Sequence, residues 1–233
     1  MDEAGRGPWA GPVVAAAVIL QRSSLSVRID DSKRLSPSQR ARAFEMIQDH
    51  AEVGFGIVCA EEIDQRNILQ ATLLAMRQAI EDLPSAPDLI LVDGTMAPSV
   101  PVPCQPMVHG DQRSYVISCA SIMAKVLRDR LMEFYHELDP RYAFNQHKGY
   151  GTALHTLRLK HHGPSLWHRR SFRPVSIVGT TAWRVTPEGR PLPAGRSTLR
   201  EESSLLTTAP GPRVVRTAGG VPPAAGPASE VRP

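Results

Sequence analysis

The chain has 233 residues, 42% of them hydrophobic and 21% charged, with a formal net charge of +4. This is the make-up of a water-soluble globular protein with room for one ordinary core. It argues against a membrane span, because the apolar run Val13–Leu20 stops after eight residues at Gln21 and Arg22.

The elements are predicted in chain order. Met1 is followed by Asp2 and Glu3 rather than by basic residues, so no secretory signal opens the chain. Val13–Leu20, rich in small and β-branched residues, reads as a buried strand. Ser36-Pro37 supplies a cap and a first-turn proline for a helix over Gln39–His50. Val53–Cys59 alternates and reads as a strand, and Asn67 is placed to cap a helix over 68–83. Asp88–Val92 reads as a short strand ending at Asp93-Gly94, and 106–109 as another. Residues 114–138 form a long helical pattern, with Val116, Ala120, Met123, Val126 and Leu127 near one face. Residues 152–161 make a final helix, stopped by Gly163-Pro164. Strands followed by strand–helix alternation predict an α/β domain over residues 1–182. Residues 183–233 hold nine Pro, six Gly and no Lys, Phe or Tyr, and are predicted to be a disordered tail. That tail carries seven Arg against four Glu, whereas residues 1–182 carry 20 basic against 19 acidic residues. The overall positive charge is therefore no evidence for a nucleic-acid partner, and motifs must carry that case. Cys59, Cys104 and Cys119 lack metal or CxxC spacing and read as reduced thiols of a cytoplasmic protein.

Four carboxylates stand out. Asp2 and Glu3 precede Gly5-Arg6-Gly7, Asp93 closes an apolar strand before a glycine, and Asp129 lies in the long helix. A carboxylate at a strand end beside a glycine turn can point into a cleft and hold a hard cation. Taken singly, each has a plainer alternative. Asp93-Gly94 is more often a turn, and Asp129 can pair with Lys125 four residues earlier.

Seven blocks, in order along the chain, resemble the ribonuclease HII family. They are DEAGRG with the GPV strand, DDSKRLS, EEIDQRNILQATLLAM, LILVDG, ISCASIMAKVLRDRLM, HKGYGT and GPSLWHRRSF, spanning Asp2 to about Val178. The resemblance implies a ribonuclease H-like fold, with a five-stranded mixed sheet flanked by helices. It also implies a catalytic, metal-holding quartet of Asp2, Glu3, Asp93 and Asp129. The activity implied is metal-dependent cleavage of RNA in RNA–DNA hybrids, including cutting 5′ of a single ribonucleotide in duplex DNA. Two Mg²⁺ or Mn²⁺ ions would act, leaving 3′-hydroxyl and 5′-phosphate ends.

Glycines let a backbone approach a sugar closely and an arginine can engage phosphate, so Gly5, Arg6 and Gly7 are candidate substrate contacts. In the family that segment senses 2′-hydroxyls, and the tyrosine matching Tyr150 packs on the neighbouring deoxyribose. Lys33, Lys148, His168 and Arg169 (with Arg170 beside them) are candidate phosphate contacts. Ser118 and Ser121 read as packing positions. Two departures from the family stand out: Met1 alone precedes the acidic pair, predicting a shortened central strand, and the usual DGN is Asp93-Gly94-Thr95. Nothing resembling a QxxLxxFF sliding-clamp motif occurs in the tail, and the chain is expected to act as a monomer. Rival assignments are a nucleic-acid-binding protein without catalysis, or another nuclease of the fold. Ribonuclease HIII usually has an extra N-terminal domain, and integrase-like enzymes would not combine GRG, HKGYGT and SKRLS.

Overall fold

The computed structural model describes residues 1–180, and the predicted disordered segment 183–233 lies outside them. Strand β1 (Asp2–Ala4) pairs antiparallel with β2 (Val13–Leu20), placing Asp2 opposite Ala16. β2 pairs antiparallel with β3 (Ala51–Val58) along its whole length. β4 (Ile90–Asp93) and β5 (Cys104–Met107) pair in parallel. Two bonds join these groups. The Met1 α-amino group donates to the Leu91 carbonyl at 2.6 Å, and the Asp93 amide donates to the Met1 carbonyl at 3.1 Å. Bonds from one residue to partners two apart are the parallel pattern. The result is a mixed five-stranded sheet in the order β3-β2-β1-β4-β5, with Met1 adding a bonded position to the three-residue β1.

Helices cover both faces, which explains why β2 is apolar at every position. Val14, Ala16 and Val18 face one core with α1 (Pro37–His50) and the long α5 (Tyr115–Leu138). Val13, Ala15 and Ala17 face the other, against α3 (Ile68–Glu81). The α3 backbone lies directly on β3, since a Cβ on Gly56 would come within 1.8 Å of the Ala75 carbonyl oxygen. Ser36 and Gln39 form a reciprocal capping box on α1. The Asn67 side chain accepts the amides of Leu69 and Gln70 at the start of α3.

The expected strand over 106–109 starts earlier, at Cys104, because the register is set by pairing with β4. Helix α2 (Ala60–Arg66) is absent from the sequence reading, and Cys59 gives it no side-chain cap. The short α4 (Gly110–Arg113) and α6 (Phe144–His147) follow left-handed residues, His109 and Ala143. Beyond α7 (Ala153–His162) the last described helix is α8 (Arg173–Thr180). A third small core of Ala10, Met132, Tyr142 and Phe144, flanked by Tyr135 and Trp167, ties the loop after β1 to this C-terminal part. Among the described residues no helix is long and apolar enough to cross a membrane.

Candidate active site

Because β1 and β4 are neighbours in the sheet, Asp2 and Asp93 end on one edge of it. The Asp93 carboxylate accepts the Gly110 amide at 2.7 Å, and a Cβ on Gly110 would sit 2.6 Å from Ile117 Cδ1. That close approach brings in the next residue, Asp111. One carboxylate oxygen from each of Asp2, Asp93 and Asp111 lies within 4.8 Å of the others. Glu3 is near enough to repel Asp2 and Asp93. Hydroxyls hold this arrangement. Ser121 hydrogen-bonds the Asp2 carboxylate and sits 3.0 Å from Ser32 Oγ, while Ser118 Oγ donates to the Asp111 carbonyl at 2.7 Å. Ser118 and Ser121 thus support the acidic cluster as well as packing.

Burial and mutual repulsion dominate the electrostatics. Burial, then the charge of Glu3, pushes the Asp2 carboxyl up to about 8, and burial raises Glu3 despite its ion pair with Arg6 at 3.3 Å. Asp111 is raised by burial, then by Asp93 and Asp31. Lys33 lies 3.6 Å from Asp111. Burial opposes its charge, but Asp31, Asp111 and Asp2 together raise its pKa.

Asp129 is elsewhere. Its carboxylate takes Lys125 Nζ at 2.7 Å, and it lines a separate cleft of about 520 Å³ with Arg40, Glu133 and Lys148. The structure does not bring Asp129 to the predicted quartet's other members; the carboxylate it places with Asp2 and Asp93 is Asp111. Helix geometry explains the difference, because Asp129 falls almost four turns along α5 from its start near Asp111. The signal that could have found Asp111 is its repeat of the Asp93 pattern: a strand end, a glycine and an aspartate at one locus.

Of the predicted substrate contacts, Gly5, Arg6, Gly7 and Tyr150 form one ledge. A Cβ on Gly7 would meet Tyr150 Cε1 at 4.0 Å, and the tyrosine is 44% exposed. Gly5 has φ +99°, and Arg128 Nε occupies the space a side chain would need. Lys148 is engaged by Glu133 at 2.9 Å and by the Asn145 carbonyl at 2.6 Å. His168 and Arg169, predicted as phosphate contacts, are both buried. Arg169 is fully buried, spending its guanidinium on the carbonyls of Gly5, Arg6, Pro8 and Gly11. His168 is 2% exposed and bonded to Ser165 and His155. A basic pair in a turn looks the same in sequence whether it faces water or carbonyls.

The family model for ribonuclease HII matches residues 1–175. The chain belongs to the ribonuclease HII family. It is 52% identical over 177 residues to the ribonuclease HII of Chlamydia trachomatis serovar A, covering 75% of this chain and 81% of that protein. Identity to ribonuclease HII of Chloroflexus aggregans is 48% over 181 residues, covering 75% and 85%. The crystal structure of ribonuclease H2 from Pyrococcus horikoshii OT3 shares the fold, with a TM-score of 0.63, 24% identity and coverage of 77% and 95%.

As a ribonuclease HII the protein is a metal-dependent endoribonuclease, and its donors suit that requirement. Asp2, Glu3, Asp93 and Asp111 offer only oxygens, the ligands hard divalent cations prefer. Burial and neighbouring like charges raise the Asp2 carboxyl to about 8, and a cation held against it would favour its ionised form.

Proposed function

We propose that this ribonuclease HII hydrolyses the RNA strand of RNA–DNA hybrids and incises duplex DNA 5′ of a single embedded ribonucleotide. The ends left are a 3′-hydroxyl and a 5′-phosphate. The observation that carries this reading is the junction of two features: the Asp2–Asp93–Asp111 cluster, and the adjoining Gly5-Arg6-Gly7 loop topped by Tyr150. An acidic cluster alone fits many phosphodiesterases, whereas a sugar-sized ledge beside it fits one that inspects the ribose.

Asp2, Glu3, Asp93 and Asp111 would hold two divalent ions, Mg²⁺ or Mn²⁺. Bound there, such ions supply charge neutralisation at phosphorus and activation of water. The chain's own groups do the rest. The Gly110 amide orients Asp93, and Ser121 orients Asp2. Lys33, with its side chain 78% exposed beside Asp111, reaches the phosphate. Tyr150 offers an apolar face to the sugar next to the cut.

The test is incision of a labelled duplex carrying one ribonucleotide, with and without Mg²⁺, beside the same duplex in all-DNA form. Metal-dependent incision on the 5′ side of the ribonucleotide alone is expected. Equal cutting of the all-DNA duplex, or none of either, would overturn the reading.

A further inference from the structure

Among the described residues, Arg128 and Arg169 are the two largest fully buried side chains. Buried guanidiniums ordinarily sit against carboxylates, yet among the described residues neither has one within ion-pair distance. Backbone carbonyls take that place. Arg169 donates to Gly5, Arg6, Pro8 and Gly11 at 2.5–2.9 Å. Arg128 donates to Pro12 at 3.0 Å and to Ala10 at 3.2 Å. The Trp9 carbonyl accepts the Arg169 amide at 2.8 Å. Seven of the eight carbonyls from Gly5 to Pro12 are therefore drawn inward, Gly7 being the exception.

The outer side of the loop is the complement. Among the described residues the amides of Arg6 and Gly7 have no acceptor, and both residues are exposed. They adjoin Tyr150, whose ring centroid lies 5.7 Å from the Arg128 guanidinium. Arg128 Nη1 is buried and has no hydrogen-bond partner, so this arginine is committed to the loop and the ring alone.

We infer that Arg169, seconded by Arg128, is a positioning residue for sugar discrimination: by gathering the carbonyls of residues 5–12 on one side, it holds the Arg6 and Gly7 amides outward as paired donors for a ribose hydroxyl beside Tyr150. This rests on the proposed function and assigns its selectivity to two side chains that never touch substrate. Arginine is required because four carbonyls are met by one planar fork of five N–H donors. A lysine ammonium has three donors and cannot span them.

The experiment compares Arg169→Lys with wild type in three measurements. The first is the affinity ratio between a duplex carrying one ribonucleotide and its all-DNA counterpart, taken without divalent metal. The second is Mn²⁺ binding by calorimetry. The third is amide hydrogen exchange by peptide. The affinity ratio should fall about tenfold, the worth of one or two lost hydrogen bonds. Mn²⁺ binding should stay within about twofold, because the carboxylates do not contact Arg169, and exchange should quicken in residues 5–12 and not in β2. An unchanged ratio, or exchange rising equally in β2, would overturn the inference. If Arg169→Lys does not fold, wild-type amide resonances decide: Arg6 and Gly7 should shift with the ribonucleotide duplex and not with the all-DNA one, and equal shifts would refute it. A wild type that fails to incise ribonucleotide-containing duplex refutes the proposed function instead.

Discussion

The residue that separates the sequence reading from the structure is the fourth carboxylate. Asp129 lies in a family motif and pairs with Lys125 at 2.7 Å, an ordinary helical i,i+4 contact. Asp111 sits in the short α4, yet its oxygen joins those of Asp2 and Asp93 within 4.8 Å. The two assignments predict opposite results. Asp111→Asn keeps the size and removes a charge that a cation needs, so Mg²⁺-dependent cleavage should fall at least about a hundredfold, since several kcal/mol of transition-state stabilisation go with the metal. Asp129→Asn, remote from the cluster, should stay within about fivefold of wild type, the loss of a partly exposed ion pair. Single-turnover rates at saturating Mg²⁺ measure both. A severe loss in Asp129→Asn with Asp111→Asn still active would restore the sequence-based quartet.

At the scale of elements, legibility follows how local the causes are. β2, α1, α3 and α5 were readable because apolar patterning and the caps at Ser36 and Asn67 lie within each segment. The 104–107 strand and Asp111 depend on which strand pairs with which, and no window of sequence contains that. The segment 144–168 was legible as a motif but not as a device. Its histidines form a chain whose tautomers follow from their donors. Ser165 donates its amide to His168 Nδ1 at 3.0 Å, so His168 carries its proton on Nε2 and gives it to His155 Nε2 at 3.0 Å. His155 then donates from Nδ1 to the Tyr150 carbonyl at 2.9 Å, fixing the ledge. The chain works only while neutral. Burial, then neighbouring histidines, hold His155 down to about 4 and His168 down to about 3. Both values lie below the ordinary 6.5, so the stabilisation is complete above pH 6.5 and is lost as pH falls towards 4. At pH 5 each histidine would forfeit about 2 kcal/mol. Raised carboxyls such as Asp2 act in the opposite sense, so the contribution must be read as a difference between variants. The gap in unfolding temperature between wild type and His168→Gln should be widest above pH 6.5 and narrow by pH 5. A gap independent of pH would mean the chain is not held neutral.

For the molecule as a whole, the question is which parts the activity needs. Among the described residues the three apolar clusters run to Phe172, and Val175 is buried on the last described helix. The acidic cluster, the loop after β1 and Tyr150 all lie within residues 1–150, braced from behind by residues 155–169. Charge is distributed differently: residues 1–182 hold a net +1 and residues 183–233 a net +3, from seven Arg against four Glu. Site and core on one side, and excess charge on the other, predict separable effects of ending the chain after Ala182. The unfolding temperature and kcat on a ribonucleotide-containing duplex should be unchanged, because no cluster residue is lost. Affinity for an all-DNA duplex at low salt should fall, since arginines contribute through counterion release. That difference should vanish near 0.2 M salt, where screening shortens the reach of exposed charges. Thermal scans, steady-state cleavage and a salt series of duplex affinity on the two chains measure these effects. A truncated chain that unfolds several degrees lower would show that the core extends past residue 182. One whose kcat drops while its unfolding temperature holds would show that the segment acts on substrate at the site itself.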